Sequence, residues 1–130
     1  MQRIAPVLVF LLVPLFAVPQ PEMLKGTILS VDEDYCGKSA DYLLRAVLST
    51  GARENAILVL APKWYLHSRK IEIKAGQRAE VRAIRAEDKT YEVITIKIGK
   101  NNYILRDGKG KPVWQGEPGN EDLFKSICRN

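Results

Sequence analysis

Apolar residues that recur every second position, broken by turn residues about every ten, constrain this chain more than anything else in it. Residues 79, 81 and 83 (Ala, Val, Ala) alternate with Arg78, Glu80 and Arg82, and Ile94, Ile96 and Ile98 share one face of the next run. A period of two is the signature of a half-buried strand. Further strands are read at 26–31, 42–49, 56–60 and 103–106, with turns at 50–55, 75–77, 87–89, 100–102 and 107–110. The polar stretch 32–41 contains Gly37 and reads as a loop. Pro62 is placed to open a short helical turn through Trp64 and Leu66, because proline suits the first helical position. Near the end, Asn120 caps a second short helix, with Leu123/Ile127 and Phe124/Cys128 at i, i+4. Five or six short strands with one helical insertion midway predict an all-β fold: a small OB-like barrel with a short C-terminal helix.

The 130 residues begin differently. Arg3 precedes an almost unbroken apolar run over residues 4–19. One cation, an apolar run and a small residue near its end make the layout of a secretory signal, with Ala17 the best last residue removed. As a helix the run reaches only about 22 Å, short of the ~30 Å hydrocarbon core, and Pro6, Pro14 and Pro19 interrupt it. The expected organisation is a signal peptide or N-terminal anchor at 1–20 and one barrel domain with a helical tail at 21–130. The destination is periplasmic or extracellular, with membrane contact only through an uncleaved N-terminal segment. In such a compartment the two cysteines, Cys36 and Cys128, read as a disulfide pair. Closing so long a loop contributes up to about 4–5 kcal/mol in the chain-entropy model.

The run from Ala56 to Trp114 resembles a family of small exported bacterial OB-fold-like domains of poorly defined function. The resemblance rests on Ala56-Ile57-Leu58-Val59-Leu60 leading into Ala61-Pro62, with Trp64-Tyr65 just after. It continues through Ile71-Glu72-Ile73-Lys74-Ala75-Gly76 and Ala79-Glu80-Val81-Arg82-Ala83 to Leu105-Arg106-Asp107-Gly108 and Pro112-Val113-Trp114. Gln77 and Ala61 depart from it, standing where an acidic residue and a glycine are expected. The resemblance implies fold and export, and little chemistry.

An enzyme needs convergent titratable groups. The single histidine, His67, has only Ser68 beside it, and adjacent residues do not form a triad. The Asp32-Glu33-Asp34 run lacks the spaced oxygens and glycine of a calcium loop. No cysteine or histidine cluster has zinc or haem spacing. The reading is therefore non-enzymatic, without cofactor or metal. The charge of +5 is concentrated in the second half and accommodates anionic partners. Aromatic and basic residues at Trp64, Tyr65, His67, Arg69, Lys70, Arg106 and Trp114 are the candidate binding set. The expected role is an exported interaction module, an accessory subunit of a cell-envelope protein assembly. A soluble periplasmic ligand-binding module is the second expectation, and an OB-type nucleic-acid binder the third.

Overall fold

The computed structural model describes residues 20–36 and 41–114. Six strands and one helix follow in the order β1 (Glu22–Cys36), β2 (Asp41–Ser49), β3 (Ala56–Pro62), α1 (Lys63–Ser68), β4 (Arg78–Glu87), β5 (Thr90–Ile98) and β6 (Asn101–Ile104). The sheet order is β3-β2-β1-β4-β5-β6, and β3 also pairs with β5. Five strands therefore close into a ring, the small barrel expected from the strand spacing. Every pairing is antiparallel except β3–β5, which is parallel. The signal or anchor, the Cys36–Cys128 pairing and the C-terminal helix lie outside the described residues, save that Cys36 ends β1.

Closure depends on β1 changing partners. Its first half pairs with β4, from Glu22↔Ala83 to Thr27↔Arg78, and its second half with β2, from Thr27↔Ser49 onward. Gly26 sits at this corner. A Cβ there would lie 1.9 Å from the carbonyl oxygen of Ser49, so only glycine lets the two backbones approach. Just beyond, Leu29 is an extra residue in β1, and the bulge it creates bends the strand around the barrel.

The interior is built from alternating positions. Ile28, Leu48, Leu58, Leu60, Val81, Val93, Ile96 and Leu105 are fully enclosed, with Ala46, Ala79 and Ala83 between them where larger side chains would not fit. A second bulge leaves Ile94 as the extra residue of β5 opposite β4. Val81↔Ile96 and Ala83↔Val93 are thereby both kept as core pairs, since a one-residue slip would otherwise turn one half of the strand outward.

Several boundaries differ from the sequence reading. The polar run 32–36 is strand: β1 stays paired with β2 to Cys36↔Asp41, with β3 on the other edge of β2 as far as Leu43↔Pro62. Its acidic residues find cations on neighbouring elements, Asp34 with Arg45 at 2.9 Å and Glu33 with Lys63 at 3.3 Å, so polarity here marks a solvated hairpin. Pro62 caps α1 from outside at φ −62°, ψ 144°, instead of being its first helical residue. The reversal after β5 turns at Gly99-Lys100, and Asn101 is already paired with Ile98. Between α1 and the 75–77 turn, Ile71 and Ile73 alternate without forming a strand; Ile73 is buried and Ile71 packs against the core.

Candidate functional site

The candidate residues on the helical insertion are set by α1. Its C-terminus closes with the N–H of Lys70 donating to His67 O (3.1 Å) and that of Ile71 to Leu66 O (2.9 Å). This double bond pattern is a Schellman ending, which requires one left-handed residue. That residue is Lys70, at φ 58°. The result is a short helix whose last turn holds His67, Arg69 and Lys70 exposed. Tyr65 is buried beneath it, edge-on to Trp64 (ring centroids 5.9 Å) and tilted against Trp114 (5.5 Å). The Arg69 guanidinium lies over the Tyr65 ring at 4.9 Å, and the Lys63 ammonium over Tyr42 at 5.5 Å.

Under this aromatic layer is the seam of the barrel. One edge of β5 is shared: β3 pairs with residues 90–92 and β6 with residues 95–98. Between them the carbonyls of β3 and β5 have no strand opposite. Arg106 fills the gap. Its Nη1 donates to the carbonyl oxygens of Leu60 (2.9 Å), Val93 (2.8 Å) and Val59 (3.1 Å). Its own N–H and that of Leu105 both donate to Ile94 O (3.1 and 2.7 Å). Trp114 stacks on the guanidinium at 5.2 Å and is only 2% exposed. Burial lowers the pKa of Arg106 to about 10, against which the nearby Glu92 acts weakly in the other direction. The turn 107–110 fixes this residue, because the Asp107 carboxylate accepts the N–H groups of Lys109 and Lys111 at 2.9 Å each.

The structure thus brings Trp64, Tyr65, Arg69, Arg106 and Trp114 into one stack, with His67 and Lys70 on its solvent side. Arg106 is turned inward and committed to backbone carbonyls, so it is neither a turn-stabilising partner of Asp107 nor exposed to a ligand. Trp114 fills the seam, Tyr103 is half-buried against the core, and Trp64 packs against it from the end.

A second surface escaped the sequence reading. Outward positions of β1, β4, β5 and β6 line up through the register as Met23–Arg82–Thr95–Ile104 and Lys25–Glu80–Lys97–Asn102, with Arg78 beside Thr27. The alternation within each strand was visible, but the rows exist only once the pairing register is known.

At the opposite end from α1, a cleft of about 530 Å³ lies between the 50–55 loop, Arg85, Asp88, Lys89 and Tyr91. Two of its cations are engaged, Arg85 with Glu22 (3.4 Å) and Lys89 with Glu54 (3.9 Å). Among the described residues no three His, Cys, Asp or Glu side chains gather where a metal ion could be held. No helix among them is long and apolar enough to cross a membrane.

No curated protein and no solved structure matches the chain. A family model does, over residues 20–105, which spans the whole ring of strands and α1 and stops one residue before Arg106. That match covers well over half of the sequence, and the chain belongs to the MamS/MamX magnetosome protein family.

Proposed function

We propose that the chain is a non-catalytic accessory module of a magnetosome protein assembly, docking onto another protein through the α1 end of its barrel. The observation that carries this is the aromatic–cation stack: Trp64, Tyr65 and Trp114 packed over a buried guanidinium, with His67, Arg69 and Lys70 presented above it. Interfaces draw their energy from aromatic and arginine anchors that a partner can reach; here those are Arg69 and the partly exposed Trp64, held in place by the buried Tyr65 and Trp114, and a preformed platform loses little entropy on binding. Lys70 adds to this. It holds a left-handed backbone where glycine would be about 1 kcal/mol more favourable, and a strained cation beside a binding face is suggestive of use. The family supports membership of a magnetosome assembly. Export of the mature domain to the periplasm, with the apolar run as its signal, belongs to the same proposal.

Cross-linking mass spectrometry on native membranes tests it. Reproducible links from Lys63 to one neighbouring protein are expected, and Arg69→Glu with Lys70→Glu should abolish them while circular dichroism shows the barrel still folded. Links confined to other faces, or links indifferent to these substitutions, sink the proposal. Co-purification of a small molecule with a monomer would favour the ligand-binding alternative. Steep salt-dependent retention on an oligonucleotide would favour nucleic acid.

A further inference from the structure

Elsewhere on the surface exposed cations tend to be answered locally: Arg45 by Asp34, Lys63 by Glu33, Lys74 by Glu72, Arg85 by Glu22 and Lys89 by Glu54. The outer face of β1, β4, β5 and β6 is different. Two of its rows and the position beside them carry Lys25, Arg78, Arg82 and Lys97 against one carboxylate, Glu80, with Lys100 on the adjoining turn and Glu92 in the next outward row of β5; none of the five cations forms an ion pair among the described residues. Lys25, Arg78, Glu80 and Lys97 also line a shallow depression of about 230 Å³. The neighbouring row ends in Met23, 62% exposed, and Ile104, 56% exposed. Four strands at ~4.8 Å spacing put those two apolar side chains about 14 Å apart across the sheet.

We propose that this face docks on an anionic lipid bilayer, its cations meeting phosphate headgroups and Met23 and Ile104 entering the acyl boundary. The proposal is independent of the α1 platform, which lies on another part of the barrel. Three features select a bilayer over other anionic partners. The apolar side chains stand at the ends of the face and its middle is charged, whereas protein interfaces place an apolar anchor at the centre inside a polar rim. The outward positions of the two rows and Arg78 include no aromatic ring on which a nucleic-acid base could stack. In the sequence only Gln20 and Pro21 separate the apolar run of residues 4–19 from the strand that carries Met23 and Lys25, so a retained run would tether this strand to a bilayer. Attraction of ~1 kcal/mol per basic residue near an anionic surface makes each neutralisation worth about fivefold in partitioning.

The test is co-flotation of the full-length protein with vesicles of phosphatidylcholine alone or mixed with phosphatidylglycerol. Phosphatidylglycerol should raise the bound fraction in a salt-sensitive way, and Lys25→Ala with Lys97→Ala should cut that increment about 25-fold. Met23→Ser with Ile104→Ser should weaken binding further, while Lys109→Ala with Lys111→Ala, on a turn outside the face, should leave it unchanged. All these positions are exposed, and circular dichroism of each variant checks that the barrel is intact. An undiminished phosphatidylglycerol response in K25A/K97A overturns the proposal, as does an equal loss in K109A/K111A. Capture of an acidic peptide or an oligonucleotide, with no response to vesicles, overturns it too. The α1 cross-links serve as a separate readout, and their persistence in K25A/K97A separates failure of one surface from failure of the other.

Discussion

Arg106→Ala removes the donor that three carbonyls share. Those of Leu60 and Val93 are buried and that of Val59 partly so, and a buried acceptor left without a partner costs about 1–3 kcal/mol. Loss of the aliphatic stem and of the stack on Trp114 adds roughly 1–2 kcal/mol. Against this, the wild type holds a guanidinium at a disadvantage: burial lowers its pKa to about 10, a cost on the order of 3 kcal/mol at 1.36 kcal/mol per unit, which the variant recovers. The net expectation is a loss of about 3 kcal/mol, or roughly 12–24 °C in melting temperature for a domain of this size. Urea unfolding followed by tryptophan fluorescence reads it, since Trp114 leaves a fully packed site as the seam opens. Arg106→Met separates the contributions. It keeps most of the volume and offers no donor, so it should recover the packing loss and still fall below wild type. Because the folded pKa lies below the unfolded one, the unfolded chain binds more protons only in a window that opens at about pH 10. The burial cost is therefore constant below that window and relieved within it, and the difference between wild type and Arg106→Met should be flat from pH 6 to pH 9, working values on the near side of a pKa of about 10. Parity of Arg106→Met with wild type would refute the assignment of carbonyl satisfaction to this side chain.

Gly26→Ala should cost about 3 kcal/mol or more, because its Cβ meets backbone and cannot be relieved by a side-chain shift; Gly108→Ala, with open space around it, should be near neutral by the same thermal melt. Lys70→Gly should stabilise by roughly 0.5–1 kcal/mol in urea unfolding by relieving the left-handed residue of the Schellman ending, while weakening the α1 cross-links. The backbone N–H groups of Lys111 and Lys109 hold the Asp107 carboxyl below its ordinary pKa. Its contribution is therefore present above the unfolded value of ~3.9 and lost as pH falls through the folded one. The stability difference between wild type and Asp107→Ala should shrink on acidification, and a difference that stays constant from neutral to strongly acidic pH would rule out this role.

Strand identity was legible wherever one face is buried and the other wet, as in Arg78 to Ala83, because the pleat alone imposes that alternation. It failed at 32–36, where three consecutive acidic residues read as loop although their partners in β2 include the buried Leu43. The helix and the aromatic pair in its first turn were also legible, since their signals are local, and the proline boundary was one position off. The role of Arg106 was not. Its next neighbours, Asp107 and Gly108, advertise a turn, and the turn is there; but the guanidinium's partners are at positions 59, 60 and 93, and nothing local announces a carbonyl gap 47 residues away. The basic outer face was hidden for a related reason. Lys25, Glu80 and Lys97 become neighbours only through two strand pairings.

The seam also explains why the two proposed surfaces can act independently. A five-stranded ring has to close somewhere, and here β3 and β5 pair over only three residues before parting. One arginine and the tryptophan above it complete the closure, and the same tryptophan supports Tyr65 and so the helix. The α1 platform is therefore mechanically coupled to the seam, so Arg106→Ala should loosen both together. The outer face rests on the β1-β4-β5-β6 ladder instead, and its two rows cross β5 at Thr95 and Lys97, on the far side of the Ile94 bulge from the three β3–β5 pairs. A substitution at the seam that leaves the barrel folded is thus expected to weaken α1 cross-links while leaving vesicle binding near its wild-type level. Because the coupling runs through packed rings and not through charge, that separation should persist at high salt, where screening weakens the outer face alone.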